Sequence, residues 1–165
     1  MQQEQLHLRP YLSTLTLLCV ENSAVLTTIY EGLFSILFKK VIFAKNAEDA
    51  LDVYHNHQID IIITAQVFTG ITGMDMISQI RVNDKSIPII FVSSFEDIEL
   101  LTEAIKLRVT NFVKKPFETT DMLDAIEGAT KQLLAKKYIQ EKEQEKLNAL
   151  KSRVDYSDYQ EKLSF

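Results

Sequence analysis

The stretch Ile59-Asp-Ile-Ile-Ile-Thr64 decides the fold. It is short, β-branched and apolar at nearly every position, so it lacks the alternation of a strand with one wet face. That pattern belongs to a central parallel strand covered by helices on both sides. Outward from it, Leu15-Thr-Leu-Leu-Cys-Val20, Val41-Ile-Phe-Ala44, Ile89-Ile-Phe-Val92 and Asn111-Phe-Val-Lys114 are further short strand-forming runs. Between the runs, apolar residues recur at helical spacing. They are Val25, Leu26, Ile29, Leu33, Ile36 and Leu37 within 24–40, then Ala47, Ala50, Leu51 and Tyr54, then Met74, Met76, Ile77 and Ile80, then Ile98, Leu101 and Ile105. Ser23 and Asn46 are placed to cap the first two helices. A last helix is expected near Asp121, beyond Pro116, with Thr119 or Thr120 as its cap.

Five strands alternating with five helices imply a parallel sheet wound by right-handed crossovers. For this length the expected architecture is α/β, a flavodoxin-like doubly wound five-stranded parallel sheet of order 2-1-3-4-5. Ligands of such sheets bind outside the carboxyl ends of the strands. The positions to inspect are therefore Glu21, Asn22, residues 65–70, Ser93, Ser94 and Lys115.

The last helix outruns such a domain. The expected division is an N-terminal arm at 1–13, the α/β domain at 14–134, and an extended C-terminal helix at 135–165 that forms a coiled coil or a linker to an output domain. Ile126, Leu133, Gln140, Leu147 and Val154 are spaced by one heptad, with Ala129, Lys136, Glu143 and Leu150 interleaved. This is a heptad seam with a polar middle. It reads either as a dimer seam or as a solvated helix. The tail from Asp155 to Phe165 has no clear period.

Composition narrows the function classes. The chain has 165 residues, 46% hydrophobic and 25% charged, with a net charge of −5. An acidic balance argues against broad contact with nucleic acid. No apolar run reaches the roughly 18 residues of a membrane span, so the expected location is cytoplasmic. Cys19 is the only cysteine and lies in an apolar run, which suits a buried residue in a reducing compartment. His55 and His57 point apart on a helix, and with His7 they suggest no metal site.

Four blocks at the strand ends resemble the receiver domain of two-component response regulators. They are LLCVEN (17–22), DIIITAQVFTGITGMDMI (60–77), IPIIFVSS (87–94) and NFVKKPF (111–117). The resemblance covers about Thr14 to Leu134. It implies phosphoryl transfer to an aspartate at the end of the third strand, with Mg²⁺ held by acidic side chains. Here that acceptor position is Ala65, whose methyl group cannot act as a nucleophile. The acidic pair is reduced to Glu21 and Asn22. Ser93 and Phe112 fall at the two switch positions, Lys115 at the phosphate-contacting lysine, and Pro116 at the proline beside it. Phe68 and Thr69 replace a usual Met-Pro pair, and Arg108 stands where the family has a glycine ending the fourth helix.

The resemblance therefore implies a pseudo-receiver with no catalytic residue, no metal site and weak or absent Mg²⁺ binding. Glu21 and Lys115 are expected to pair. Partners would be proteins, including a second copy through the C-terminal helix or the helix 4–strand 5–helix 5 face. Glu99, Glu103, Lys106 and Arg108 would supply charge on that face. Two alternatives stand beside this. One is a phosphorylatable receiver whose aspartate was replaced by alanine, although Asn22, Phe68 and Thr69 point to natural drift. The other is the N-terminal piece of a longer regulator with a catalytic output such as a diguanylate cyclase, whose own motifs are absent from these residues. Flavin binding is disfavoured, because the Glu-Asn-Ser-Ala turn after strand one is no phosphate cradle.

Overall fold

The computed structural model describes residues 8–94 and 98–163, with side chains through Val154. The expected arm is therefore described only from residue 8, where 8–12 are helical and Leu12 is buried. His7 and the tail side chains lie outside the described residues.

Five strands form one parallel sheet: β1 Thr16–Val20, β2 Lys40–Ala44, β3 Ile61–Ala65, β4 Ile89–Ser93 and β5 Asn111–Lys114. Their order is β2-β1-β3-β4-β5. The helices are α1 Ala24–Phe34, α2 Ala47–Asn56, α3 Gly73–Asn83, α4 Ile98–Lys106 and α5 Thr119–Leu163. This is the expected α/β architecture with a long final helix. β3 is buried at every residue, as its unbroken apolar run required.

Alternate residues of each strand face opposite layers. Leu18, Val20, Ile62, Ile89 and Phe91 join Ala47, Ala50, Met74, Met76, Ile77, Ile80 and Ala104 in one core. Leu17, Cys19, Ile61, Ile63, Ile90 and Val92 face the other layer, where Tyr30, Phe34, Met122 and Ile126 are buried. Tyr30 stacks on Phe34 at 5.1 Å and on Phe117 at 6.2 Å between centroids.

Three expectations need correction. The first helix ends at Phe34, not Lys40: Leu37 N and Phe38 N both donate to Phe34 O, and Lys39 N then joins Leu15 O, returning the chain to the sheet. On α1 the buried residues are Tyr30 and Phe34, while Val25 and Ile29 are exposed, as is Ile36 beyond the helix. On α4 the buried residue is Ala104, and Ile98 and Ile105 are exposed at 79% and 70%. On both helices the apolar arc is wider than the stripe the fold covers, so periodicity alone could not choose which part of it is buried. Thr119 and Thr120 are the first residues of α5 and not its cap; the Glu118 N–H ahead of them donates to Asp121 Oδ2 at 2.8 Å. Ser23 and Asn46 do cap α1 and α2.

The chain divides into two compact units, Met1–Thr130 and Lys131–Phe165. In the second, Tyr138, Ile139, Leu147, Leu150 and Val154 are exposed apolar residues along α5. Among the described residues no helix is long and apolar enough to cross a membrane.

Candidate functional site

The register sets the site. Val20 pairs with Thr64, Ala65 with Val92, and Ser93 with Lys114. The residues that follow or end these strands therefore gather at one end of the sheet: Glu21, Asn22, Ala65, Ser93 and Lys115.

Glu21 is the buried charge of this group, 4% exposed. Its Oε2 lies 3.4 Å from Lys115 Nζ. Its Oε1 accepts from Ser23 N at 2.9 Å. Both oxygens thus have partners, as a buried carboxylate requires. The expected Glu21–Lys115 pairing is present as a direct contact. Ser23 contributes twice, because its side-chain oxygen also caps α1 by accepting from Leu26 N at 3.3 Å.

Asn22 reaches across the site. Its Nδ2 donates to Val67 O at 3.2 Å, tying the loop after β1 to the loop after β3. An aspartate in its place would set two acceptors against that carbonyl. The amide makes this bridge without a cation.

Ala65 is 6% exposed and offers only its backbone to the site. Its carbonyl accepts from Thr64 Oγ1 at 2.9 Å. The loop beyond it folds back tightly. Gly73 N donates to Gln66 O, and Met74 N donates to Gln66 Oε1, both at 3.0 Å. A Cβ on Gly73 would collide with the Ala65 carbonyl, so glycine is required for this close approach. Gly70 sits at φ 97, in the left-handed region. Thr72 and Asp75 then form a capping box on α3. The Asp75 carboxyl is held below the usual carboxylate range by the Thr72 backbone N–H first and its hydroxyl second. Gln66 falls within the 65–70 loop singled out from the sequence, but its side-chain role as acceptor for Met74 N was not legible there.

Ser93 is half-buried at the end of β4, and its carbonyl accepts from Lys115 N at 2.9 Å. Phe112 is half-buried and meets Phe91 edge-on at 6.4 Å. Lys115 is joined to the exposed Pro116 through a cis peptide bond. Asp60 lies at the opposite end of β3, where its carboxylate accepts from Thr16 N at 2.8 Å.

Beneath the site lie two further polar groups. Cys19 is fully buried, and burial, then the charge of Glu21, raises its thiol pKa well above the ordinary value. The Tyr30 hydroxyl is buried with no hydrogen-bond partner among the described residues, and burial likewise raises its pKa. A fully protonated thiol and phenol are what this environment holds. Neither is poised as a nucleophile.

Comparison with known proteins gives a consistent outcome. The response regulator receiver domain profile matches residues 17–127. The chain is 27% identical over 118 residues to chemotaxis protein CheY of Listeria monocytogenes, covering 71% of this chain and 99% of that one. It is 26% identical over 117 residues to the probable transcriptional regulator ycf27 of Cyanidium caldarium, covering 71% of this chain. The match spans about half of that regulator's length, 47%. The solved structure described as adenylate cyclase from Rhodopirellula baltica superposes with a TM-score of 0.69 at 21% identity, over 78% of this chain and 98% of that one. The parallel order β2-β1-β3-β4-β5, the strand-end cluster around Glu21 and Lys115, and a profile match across most of the α/β unit lead to one conclusion: the chain belongs to the response regulator receiver domain family.

Proposed function

We propose that this receiver unit works by protein contact and does not accept a phosphoryl group at residue 65. The observation that carries this is Ala65 itself, which occupies the end of β3 with no side-chain oxygen. Receiver domains act through proteins such as kinases and output domains. This one would do so from a fixed state. In this reading Ser93 and Phe112 are strand-end packing residues, consistent with the edge-on contact of Phe112 against Phe91.

The donor set does not suit Mg²⁺, which takes near-octahedral oxygen coordination with carboxylates. Among the described residues of this cluster Glu21 is the one carboxylate, and both its oxygens already have donors. Asn22 presents its amide N–H to Val67 O. Mg²⁺ binding is therefore proposed to be weak or absent, and no step is routed through the metal.

The contact surfaces favoured are the exposed seam of α5 and the α4–β5–α5 face, either of which could seat a second copy. Ile98 and Ile105 are exposed on α4, and Lys106 lies beside them. A second reading places the unit within a longer regulator with a catalytic output, such as a diguanylate cyclase. The length of α5, Thr119–Leu163, and the cyclase description of the Rhodopirellula structure favour it.

The test is Ala65→Asp incubated with a small acyl phosphate and Mg²⁺, read by intact mass. The expected result is no stable phosphoaspartate, because Asn22 and the Glu21–Lys115 pair remain. Efficient acceptance would mean a recently intact site and would replace this reading with that of an aspartate changed to alanine.

A further inference from the structure

A second site lies at the ends of α3 and α4, where a pocket of about 230 Å³ is lined by Arg81, Lys85, Lys106, Leu107 and Arg108. Four of its five residues are cationic, and no carboxylate lines it, in a chain of net charge −5.

Arg81 is the floor of this site. It is only 8% exposed. Its Nε donates to Leu107 O at 2.7 Å and its Nη1 to Asp84 O at 3.0 Å. Its Nη2 donates to Ile87 O at 2.9 Å and to Arg108 O at 3.0 Å. Four of the five guanidinium N–H groups are thus used, and one on Nη1 has no protein acceptor among the described residues. Neutral carbonyls satisfy donors but do not cancel the charge. Among the described residues no carboxylate lies within ion-pair distance of Arg81, Lys85, Lys106 or Arg108. The Asp84 carboxylate acts on Arg81 electrostatically without forming an ion pair, and burial outweighs it, so the guanidinium pKa is lowered from its ordinary value. A buried guanidinium compensated only in part is costly.

The plainer account is helix capping, since Arg81 and Lys106 stand in the last turns of α3 and α4. It does not cover Lys85 and Arg108, which lie beyond the helices. Arg108 holds φ 54, a left-handed conformation in which a residue with a Cβ is strained. The chain places a cation where glycine would sit without strain.

We propose that this pocket binds the phosphate group of a small phosphorylated ligand. Arginine and lysine heads around one concavity match the distributed charge of phosphate oxygens. The pocket is smaller than the roughly 300–1,000 Å³ that enclose a whole drug-sized ligand. It therefore takes the charged head and leaves the body of the ligand outside. It is independent of the cluster around Glu21 and of the reading given for that cluster.

The experiment is a titration of the full chain with pyrophosphate at constant ionic strength, followed by amide NMR shifts. The expected result is saturable shifts at Lys85, Lys106, Leu107 and Arg108, with half-saturation below about 1 mM. Lys85→Gln with Lys106→Gln changes exposed residues, so the fold should survive, and should weaken binding about tenfold or more. Shifts that grow linearly without saturation, or equal affinity in the double variant at an unchanged melting temperature, would overturn the proposal.

Discussion

Lys115 Nζ stands 3.4 Å from Glu21 Oε2, across a site where the carboxylate side chain is 3% exposed and the ammonium side chain 29%. The pair is unequal: the acid is enclosed, and the base still meets water. Raw attraction at such a distance is roughly 4 kcal/mol at an effective dielectric of 20, most of it offset by desolvation. Lys115→Met should destabilise the fold by about 1–2 kcal/mol, less than a fully buried pair would lose. Glu21→Gln combined with Lys115→Met should cost less than the two changes added. Urea unfolding of the four proteins measures this, and strictly additive costs would mean that the contact contributes nothing.

Asn22 and Val67 give a metal prediction. The amide bridge at 3.2 Å closes the site without a cation. Asn22→Asp with Ala65→Asp would put two more carboxylates beside Glu21 and remove that bridge. Like charges at this spacing repel, and a divalent ion relieves them. The double variant should be less stable than the parent in chelator and should recover with millimolar Mg²⁺, while the parent melting temperature stays unchanged. A parent that is itself stabilised by micromolar Mg²⁺ would contradict the proposed loss of metal binding.

The sequence revealed the sheet readily and the site only in part. β3 and β4 are apolar at nearly every residue, and that alone marks buried parallel strands. α1 and α4 misled because each carries apolar residues on its exposed side: Val25 and Ile29 on one, Ile98 and Ile105 on the other. What buries Tyr30, Phe34 and Ala104 is the position of neighbouring elements, which periodicity does not encode. The opposition of Glu21 and Lys115 followed from the strand ends. The Asn22 bridge to Val67 O, the Gln66 bond from Met74 N and the four-carbonyl grip of Arg81 did not, because each joins a side chain to backbone whose position is set by how the loops fold and not by any residue pattern.

Arg108 predicts a gain in stability. At φ 54 a residue with a Cβ costs about 1–2 kcal/mol relative to the right-handed region, and glycine avoids this at some entropic cost. Arg108→Gly should therefore stabilise by about 0.5–1 kcal/mol, raising Tm by about 2 °C for a chain of this size. Differential scanning calorimetry reads it. Under the phosphate proposal the same variant binds pyrophosphate more weakly, so stability and binding move in opposite directions.

Cys19 gives the pH prediction. Burial, and secondarily Glu21, raises its pKa above that of the unfolded thiol. A raised folded pKa means that the folded chain keeps its proton when the unfolded chain releases it. This contribution to stability is complete below the unfolded value of about 8.5 and is lost as pH rises from there toward the folded pKa. Unfolding free energy should therefore fall above about pH 8.5, and Cys19→Ala should flatten that fall. Thiol labelling at pH 8 should proceed only as fast as the fold opens; rapid labelling of the native protein would place the thiol in solvent.

The seam on α5 supplies the last prediction. Leu147, Leu150 and Val154 are 45%, 58% and 58% exposed and recur at heptad spacing, so a second copy could cover them. The layers before them are polar. In a parallel pair Lys136 would face Lys136 and Glu143 would face Glu143, both unfavourable, with Gln140 between them. A few apolar layers next to such a stretch make a weak dimer, because short helices gain little without extended packing. Light scattering should therefore show a monomer–dimer equilibrium that shifts with concentration and disappears in a chain ending at Leu134. Leu150→Glu should abolish the dimer, whereas Lys136→Leu with Glu143→Leu should tighten it by removing both like-charge layers. If the full chain stays monomeric at every concentration and the leucine pair changes nothing, the exposed seam is a solvated helix face, and the contact that carries the signal must be sought on α4 and β5.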